Sequence, residues 1–170
     1  MSSDPTEAAK EICLRLLSVR PRTRAELEQK LVAKDVDAAV VEQVLGRLGQ
    51  VGLIDDAAFA ELWVRSRHQY QGISRRALVM ELRRKGVDGE LAVSAADEVD
   101  DESEDAKARE LVRKRLRSMT GLDEVTSIRR LVGMLARKGY SPGLAYRVVR
   151  EELKSVGAET ELLEGPLSEL

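Results

Sequence analysis

The 170-residue chain contains one cysteine, one histidine, one tryptophan and one phenylalanine, and each scarcity closes off a class of protein. A single cysteine cannot form an internal disulfide. No Ser/Asp constellation can be built around the single histidine, His68. Aromatic residues make up only 3% of the chain and β-branched residues do not cluster in runs, which argues against a sandwich or barrel. No apolar stretch approaches the roughly 20 residues needed to span a bilayer. The N-terminus lacks the basic-then-apolar layout of a signal peptide, so a cytoplasmic protein is expected. Also missing are a phosphate-binding glycine loop, a metal-ligand cluster and a nucleophile with its base. Neither catalysis nor a cofactor is therefore expected.

What the chain has in quantity is charge and aliphatic bulk. At 34% charged and 43% hydrophobic it can bury a core and still carry much solvated helix surface. Its length suits one or two ordinary domains or a short array of small units. The array is what the residues spell out. Ser74, Leu78, Leu82, Lys85, Val87, Asp88 and Leu91 map, 51 positions earlier, onto Thr23, Leu27, Leu31, Lys34, Val36, Asp37 and Val40. Moved forward by 53 positions they map onto Ser127, Leu131, Leu135, Lys138, Tyr140, Ser141 and Leu144. The matched residues share chemistry. Thr23, Ser74 and Ser127 can each accept from free N–H groups at a helix start, and Thr23 with Glu26 forms a capping-box pattern. Asp37, Asp88 and Ser141 repeat that role one helix later, the last followed by Pro142 at the first helical position. Gly86 and Gly139 stand where a helix ends in a left-handed residue. Asp35 replaces glycine in the first copy, a tolerable change because Asp visits that region more easily than most. The expected fold is all-α, with three tandem three-helix, helix-turn-helix-like repeats over residues 5–54, 55–101 and 102–156. An acidic, disordered tail is expected over 157–170.

Along the chain, Asp4-Pro5 opens a helix to about Ser18, whose apolar face carries Ala8, Ala9, Ile12, Cys13, Leu16 and Leu17. Cys13 is thus a buried structural thiol. Asp55 reads as an N-cap, with Ile54 and Phe59 in the two positions of a hydrophobic staple. The adjacent Asp55 and Asp56 lack a third ligand at a suitable offset, so capping outweighs a metal or acid/base pair. Phe59 and Trp63, four apart, are assigned to the core, and His68 to the surface. Residues 97–105 form an acidic hinge, either a solvated linker or a helix start with favourably placed acids. Residues 119–125 read as a loop before Ser127. Met134 and Tyr140 read as core or staple residues, and Leu162, Leu163 and Leu167 as a weak docking-helix pattern.

The run Leu53-Ile-Asp-Asp-Ala-Ala-Phe-Ala-Glu-Leu-Trp-Val-Arg-Ser-Arg67, followed by Ser74-Arg75-Arg76 and Leu82-Arg-Arg-Lys-Gly-Val-Asp88, resembles the RecX family, regulatory proteins of the RecA recombinase, in its actinobacterial form. Arg22-Thr23-Arg24-Ala25-Glu26-Leu27 in the first repeat and Leu135-Ala-Arg-Lys-Gly-Tyr140 in the third agree with it, and the likeness covers about residues 8–153. The resemblance implies an elongated, curved array of three-helix units without catalytic residues. It also implies binding to RecA or to its filament on DNA, lowering ATP hydrolysis, strand exchange and co-protease activity.

Charge supplies the candidate contacts. The formal net charge is −2, so the whole molecule is not a basic DNA-coating protein, yet its basic residues are concentrated. Arg65, Arg67, Arg75, Arg76, Arg83, Arg84 and Lys85 face a single Glu81 in their stretch of chain. Arg76 and Arg83, seven apart, share a helix face opposite Leu78 and Leu82. The run from 107 to 117 is again basic, and Arg109, Arg113 and Arg117 form a stripe that Arg129, Arg130, Arg137 and Lys138 continue in the next helix. Arginine grips carboxylate and phosphate bidentately, which suits an acidic protein groove or DNA. These residues are the candidate partner-binding set. RecA is the expected partner, weak direct DNA binding a possible addition, a DNA-binding module the alternative, and a monomer the expected state.

Overall fold

The computed structural model describes the backbone of residues 4–164 and the side chains of residues 4–157. Among the described residues there are nine helices and no strand: α1 Pro5–Val19, α2 Arg24–Ala33, α3 Ala38–Gln50, α4 Asp56–Gln71, α5 Arg75–Arg84, α6 Gly89–Ala96, α7 Asp101–Leu116, α8 Glu124–Arg137 and α9 Pro142–Glu164. The expectation for Leu162, Leu163 and Leu167 rests on side chains outside the described residues; of the tail expected to be disordered over 157–170, the backbone of 157–164 continues α9 and 165–170 lie outside the described residues.

The helix starts follow the capping chemistry. Asp4 accepts from the Thr6 amide at 3.0 Å with Pro5 beside it, and Thr23 with Glu26 closes a complete capping box. Asp55 accepts from the Ala58 amide at 3.0 Å, while Asp56 reaches back to accept from the Arg24 amide at 3.0 Å. Both members of the adjacent acid pair are thus helix caps, one for its own helix and one for α2. Ser74, Asp88 and Ser141 accept from Ala77, Glu90 and Leu144 amides at 3.2, 3.2 and 3.3 Å. Two expectations need correction. Asp37 occupies the N-cap of α3 but makes no side-chain cap bond. Ser127 is not a cap: α8 starts one turn earlier, at Asp123, whose Oδ1 accepts from the Thr126 amide at 2.7 Å. Thr23 follows Pro21, whose ring disfavours a longer helix, whereas nothing in Asp123-Glu124-Val125-Thr126 stops a helix and Asp is a strong cap. Ser127 is consequently buried inside the helix.

The backbone falls into two compact units that do not follow the repeats. The first combines the chain up to Ser66 with Leu78–Glu98, and the second combines Arg67–Ala77 with Val99 onward. In the first unit Cys13, Leu27, Leu31, Val44, Leu45 and Leu48 form one buried cluster. Burial pushes the Cys13 thiol pKa up, as expected of a structural cysteine. In the second, Val112, Leu131, Leu135, Tyr140, Val148 and Val149 form another.

Within each unit lies the same joint. In the first, the Thr23 hydroxyl donates to the Lys85 carbonyl at 2.7 Å, at the end of α5. In the second, the Ser74 amide donates to the Lys138 carbonyl at 2.9 Å, at the end of α8. Thr23 and Ser74 are matched positions of successive repeats, and so are Lys85 and Lys138. The glycines that follow, Gly86 at φ 85° and Gly139 at φ 95°, adopt the left-handed conformation, and Asp35 does so at φ 59°. The two glycines also press on the neighbouring helix start: a Cβ on Gly86 would strike Ala25, and one on Gly139 would strike Ser74 and Ala77. Asp35 is exposed, so at its position only the backbone angle is at stake.

Two side chains depart from expectation. Trp63 is half-buried rather than core: it stacks on Phe59 at 5.9 Å with a 12° interplanar angle, and the Lys85 ammonium sits 4.5 Å from its ring centre. His68 is not a bland surface residue. It is half-buried, with Nδ1 2.8 Å from the Ile73 carbonyl, tying down the chain between α4 and α5.

Candidate partner-binding surface

The candidate basic residues divide by what surrounds them. The carbonyls at the end of α4, which lie in the second unit, would be left without helical partners, and other residues of the same unit supply donors. Lys107 donates to Gln69 at 3.2 Å, Lys138 to Gln71 at 2.6 Å, and the buried Tyr140 hydroxyl to Gly72 at 2.9 Å. Two ammonium groups at a helix C-terminus also oppose its partial negative charge. Lys138 is in this way committed to structure. So is Lys85, which covers Trp63. Arg75 donates to the Val99 carbonyl at 2.9 Å and pairs with Asp101 at 2.8 Å and Glu104 at 3.5 Å. Of the two readings of the acidic segment, the helix start is the one found: Asp100 caps α7, whose first turns carry the acids from Asp101 to Asp105, partly neutralised by Arg75.

A denser network joins α7 to α9. Glu152, only 5% exposed, accepts from Arg113 Nε at 2.8 Å and Nη2 at 3.0 Å, and from Arg109 Nη1 at 3.3 Å. Arg109 also donates to Asp105 at 2.7 Å and to Glu151, and Arg147 reaches Asp105 at 2.8 Å. The Arg113 hydrogen bond, aided by Arg109, holds the Glu152 carboxyl below its usual pKa although burial acts the other way. Asp105 is lowered likewise, first by Arg109 and then by Arg147, against burial. Two of the three stripe arginines therefore hold their own chain together.

The sign of the pH dependence follows. A carboxyl whose folded pKa lies below the unfolded value, roughly 4 for Asp and Glu, stabilises the fold above that value. That contribution is lost as pH falls through the folded pKa. The second unit is expected to lose melting temperature below about pH 4, and Glu152→Gln should flatten that acid limb. At pH 7 the same variant should cost about 1–2 kcal/mol, less than the roughly 3–5 kcal/mol of a fully desolvated pair. The discount reflects Arg113, whose side chain is 61% exposed. Melting curves of both proteins from pH 3 to 7 check this; parallel curves would exclude the role.

Most of the remaining candidates face solvent. Arg65 is exposed and 3.5 Å from Glu98, itself open, and Arg67 is half-buried. Arg76, Arg83 and Arg84 are exposed on α5, above the buried Leu78 and Leu82, and among the described residues no carboxylate pairs with them. Arg117, Arg130 and Arg137 are exposed too. Arg115, off the 109–113–117 stripe and absent from the candidate set, shares a cleft with Arg130. No spacing rule links them, because the loop between α7 and α8 brings them together. Among the described residues there is no cluster of three or more metal-ligating side chains, and no helix long and apolar enough to cross a membrane.

Comparison with known proteins matches three family domains in order: the first three-helix domain of RecX at residues 9–48, the second at 55–95 and the third at 102–149. A relative named regulatory protein RecX from Amycolatopsis mediterranei (strain U-32) is 60% identical over 92% of this chain and 89% of its own. One of the same name from Streptomyces coelicolor is 51% identical over 94% of this chain and 85% of its own. The crystal structure of RecX from Lactobacillus salivarius shares the fold, with a TM-score of 0.77 at 23% identity, covering 88% of this chain and 97% of that one. A second crystal structure, of regulatory protein RecX, also has a TM-score of 0.77, at 26% identity over 88% of this chain and 74% of the other. With the all-α repeats found in the chain itself and three family domains matched in sequence, the chain belongs to the RecX family of regulatory proteins.

Proposed function

We propose that the protein binds RecA, free or as its filament on DNA, and inhibits its ATPase, strand-exchange and co-protease activities, so modulating recombination, DNA repair and the SOS response. The observation that carries this reading is the exposed Arg76, Arg83 and Arg84 on α5, none of them paired with a carboxylate among the described residues. Arginines held in water by a buried aliphatic base are poised for bidentate contact with acidic groups of a partner. The repeats, taken as 5–54, 55–101 and 102–156, support it from another side. Similar units joined in one chain can engage successive subunits of a polymer, so that modest contacts add through effective concentration. In this reading the protein acts as a cytoplasmic monomer without a catalytic step of its own.

The test is RecA ATP hydrolysis on single-stranded DNA with substoichiometric additions of the protein. Inhibition well below one protein per RecA is expected. The charge-reversal variant R76E/R83E should raise the half-inhibitory concentration about tenfold while its melt stays unchanged, because both side chains are exposed. Unchanged inhibition would remove α5 from the interface. No inhibition by the wild type, with strong and steeply salt-dependent DNA binding, would replace the RecA reading by a DNA-binding one.

A further inference from the structure

The loop between α7 and α8 closes a cleft of about 270 Å³ lined by Arg115, Ser118, Met119, Thr120, Leu122 and Arg130. Its lining residues include two arginines and no acidic residue. Three other cavities contrast with it, because their cations are balanced. Lys10 and Arg47 share one with Glu7 and Glu42, Arg150 and Lys154 share one with Glu124 and Glu151, and Arg22 shares one with Asp55. The acid nearest along the chain, Asp123, is turned to its own helix, accepting from the Thr126 amide at 2.7 Å. Among the described residues neither Arg115 nor Arg130 enters an ion pair, whereas Arg75, Arg109, Arg113 and Arg147 of the same unit all do.

Bringing two like charges into one cleft is unfavourable unless an anion joins them. The end of α7 adds about half a negative charge, too little to balance two guanidinium groups. The lining residues carry suitable donors: each arginine offers a planar fork, and Thr120 a hydroxyl. The Ser118 hydroxyl is spent on the Arg115 carbonyl at 3.0 Å, which fixes the last turn of α7 beneath its arginine. Gly121, between the lining residues Thr120 and Leu122, is at φ 72° with nothing within 4 Å of a Cβ built on it. We propose that this cleft binds a phosphate group, carried by a nucleic-acid strand or free in solution. The inference stands apart from the RecA reading, and its test uses the protein alone.

The arginine Nε resonances of Arg115 and Arg130 are followed by NMR in the intact protein, during one titration with a short oligothymidine and a second with inorganic phosphate. Both resonances should move. If they saturate with the oligonucleotide at far lower concentration, the phosphate belongs to a strand; if only inorganic phosphate moves them, the cleft takes the free ion. In the first case R115Q/R130Q should weaken oligonucleotide binding about tenfold and reduce the salt slope by about 0.7 for each lost contact. Resonances still in both titrations would overturn the proposal whatever the variant does. So would a folded double variant that binds both ligands as the wild type does.

Discussion

Gly139→Ala is expected to lower stability by about 3 kcal/mol, from two costs that add. An L-residue held in the left-handed region loses about 1–2 kcal/mol, and Gly139 is at φ 95°. The new methyl would also enter space held by the Ser74 hydroxyl and the Ala77 side chain, an overpacking of about 1–3 kcal/mol. Neither neighbour can swing away: the Ala77 methyl is fixed by the α5 backbone, and Ser74 by the hydrogen bond its amide donates to the Lys138 carbonyl at 2.9 Å and by capping α5. A drop of about 10 °C in melting temperature would register the effect. Asp35→Gly is the control, since the same backbone shape without a packed neighbour should change the melt little. Were Gly139→Ala as mild, the glycine would be a helix terminator and nothing more.

Trp63→Ala should cost about 2–3 kcal/mol, near the lower end of the range for large aromatic truncations. The ring is half-buried, so part of its surface is already in water. What it loses is the stack on Phe59, worth about 0.5–1.5 kcal/mol, and the Lys85 ammonium above it, worth about 0.5–1 kcal/mol. The second contribution can be isolated. A double-mutant cycle with Lys85→Ala, read by urea denaturation, should give a coupling of about 0.5–1 kcal/mol. Zero coupling would make the lysine a bystander.

Most of the fold could be read from the chain because capping and left-handed positions are local. Thr23, Asp55, Ser74, Asp88, Gly86 and Gly139 each act on backbone within a few residues, so their type at their spacing was enough. Ser127 misled because register with Thr23 and Ser74 carried no information about the preceding loop, where Asp123 captured the helix start first. The basic surface was less legible. Charge along a helix shows which side chains share a face but not which carboxylates come back to meet them. Arg109 and Arg113 are matched by Glu151 and Glu152, some forty positions away, a pairing that no local pattern announces. Arg115 and Arg130 had the opposite fate, brought to one cleft by a loop with no acid to separate them.

The joint bonds bear on how the protein is made. The Thr23 hydroxyl and the Lys85 carbonyl lie 62 residues apart, and the tie of Ser74 to Lys138 spans a similar length. Bundles of local helices fold fast because their contacts close short loops, whereas these joints raise the contact order above that of three separate bundles. During synthesis from the N-terminus the first three helices emerge complete, yet the Thr23 hydroxyl meets its acceptor only after α5 has left the ribosome. Ser74 waits in turn for α8. Folding of the nascent chain is therefore staggered by one repeat, the first and second repeats each being locked by the translation of the next.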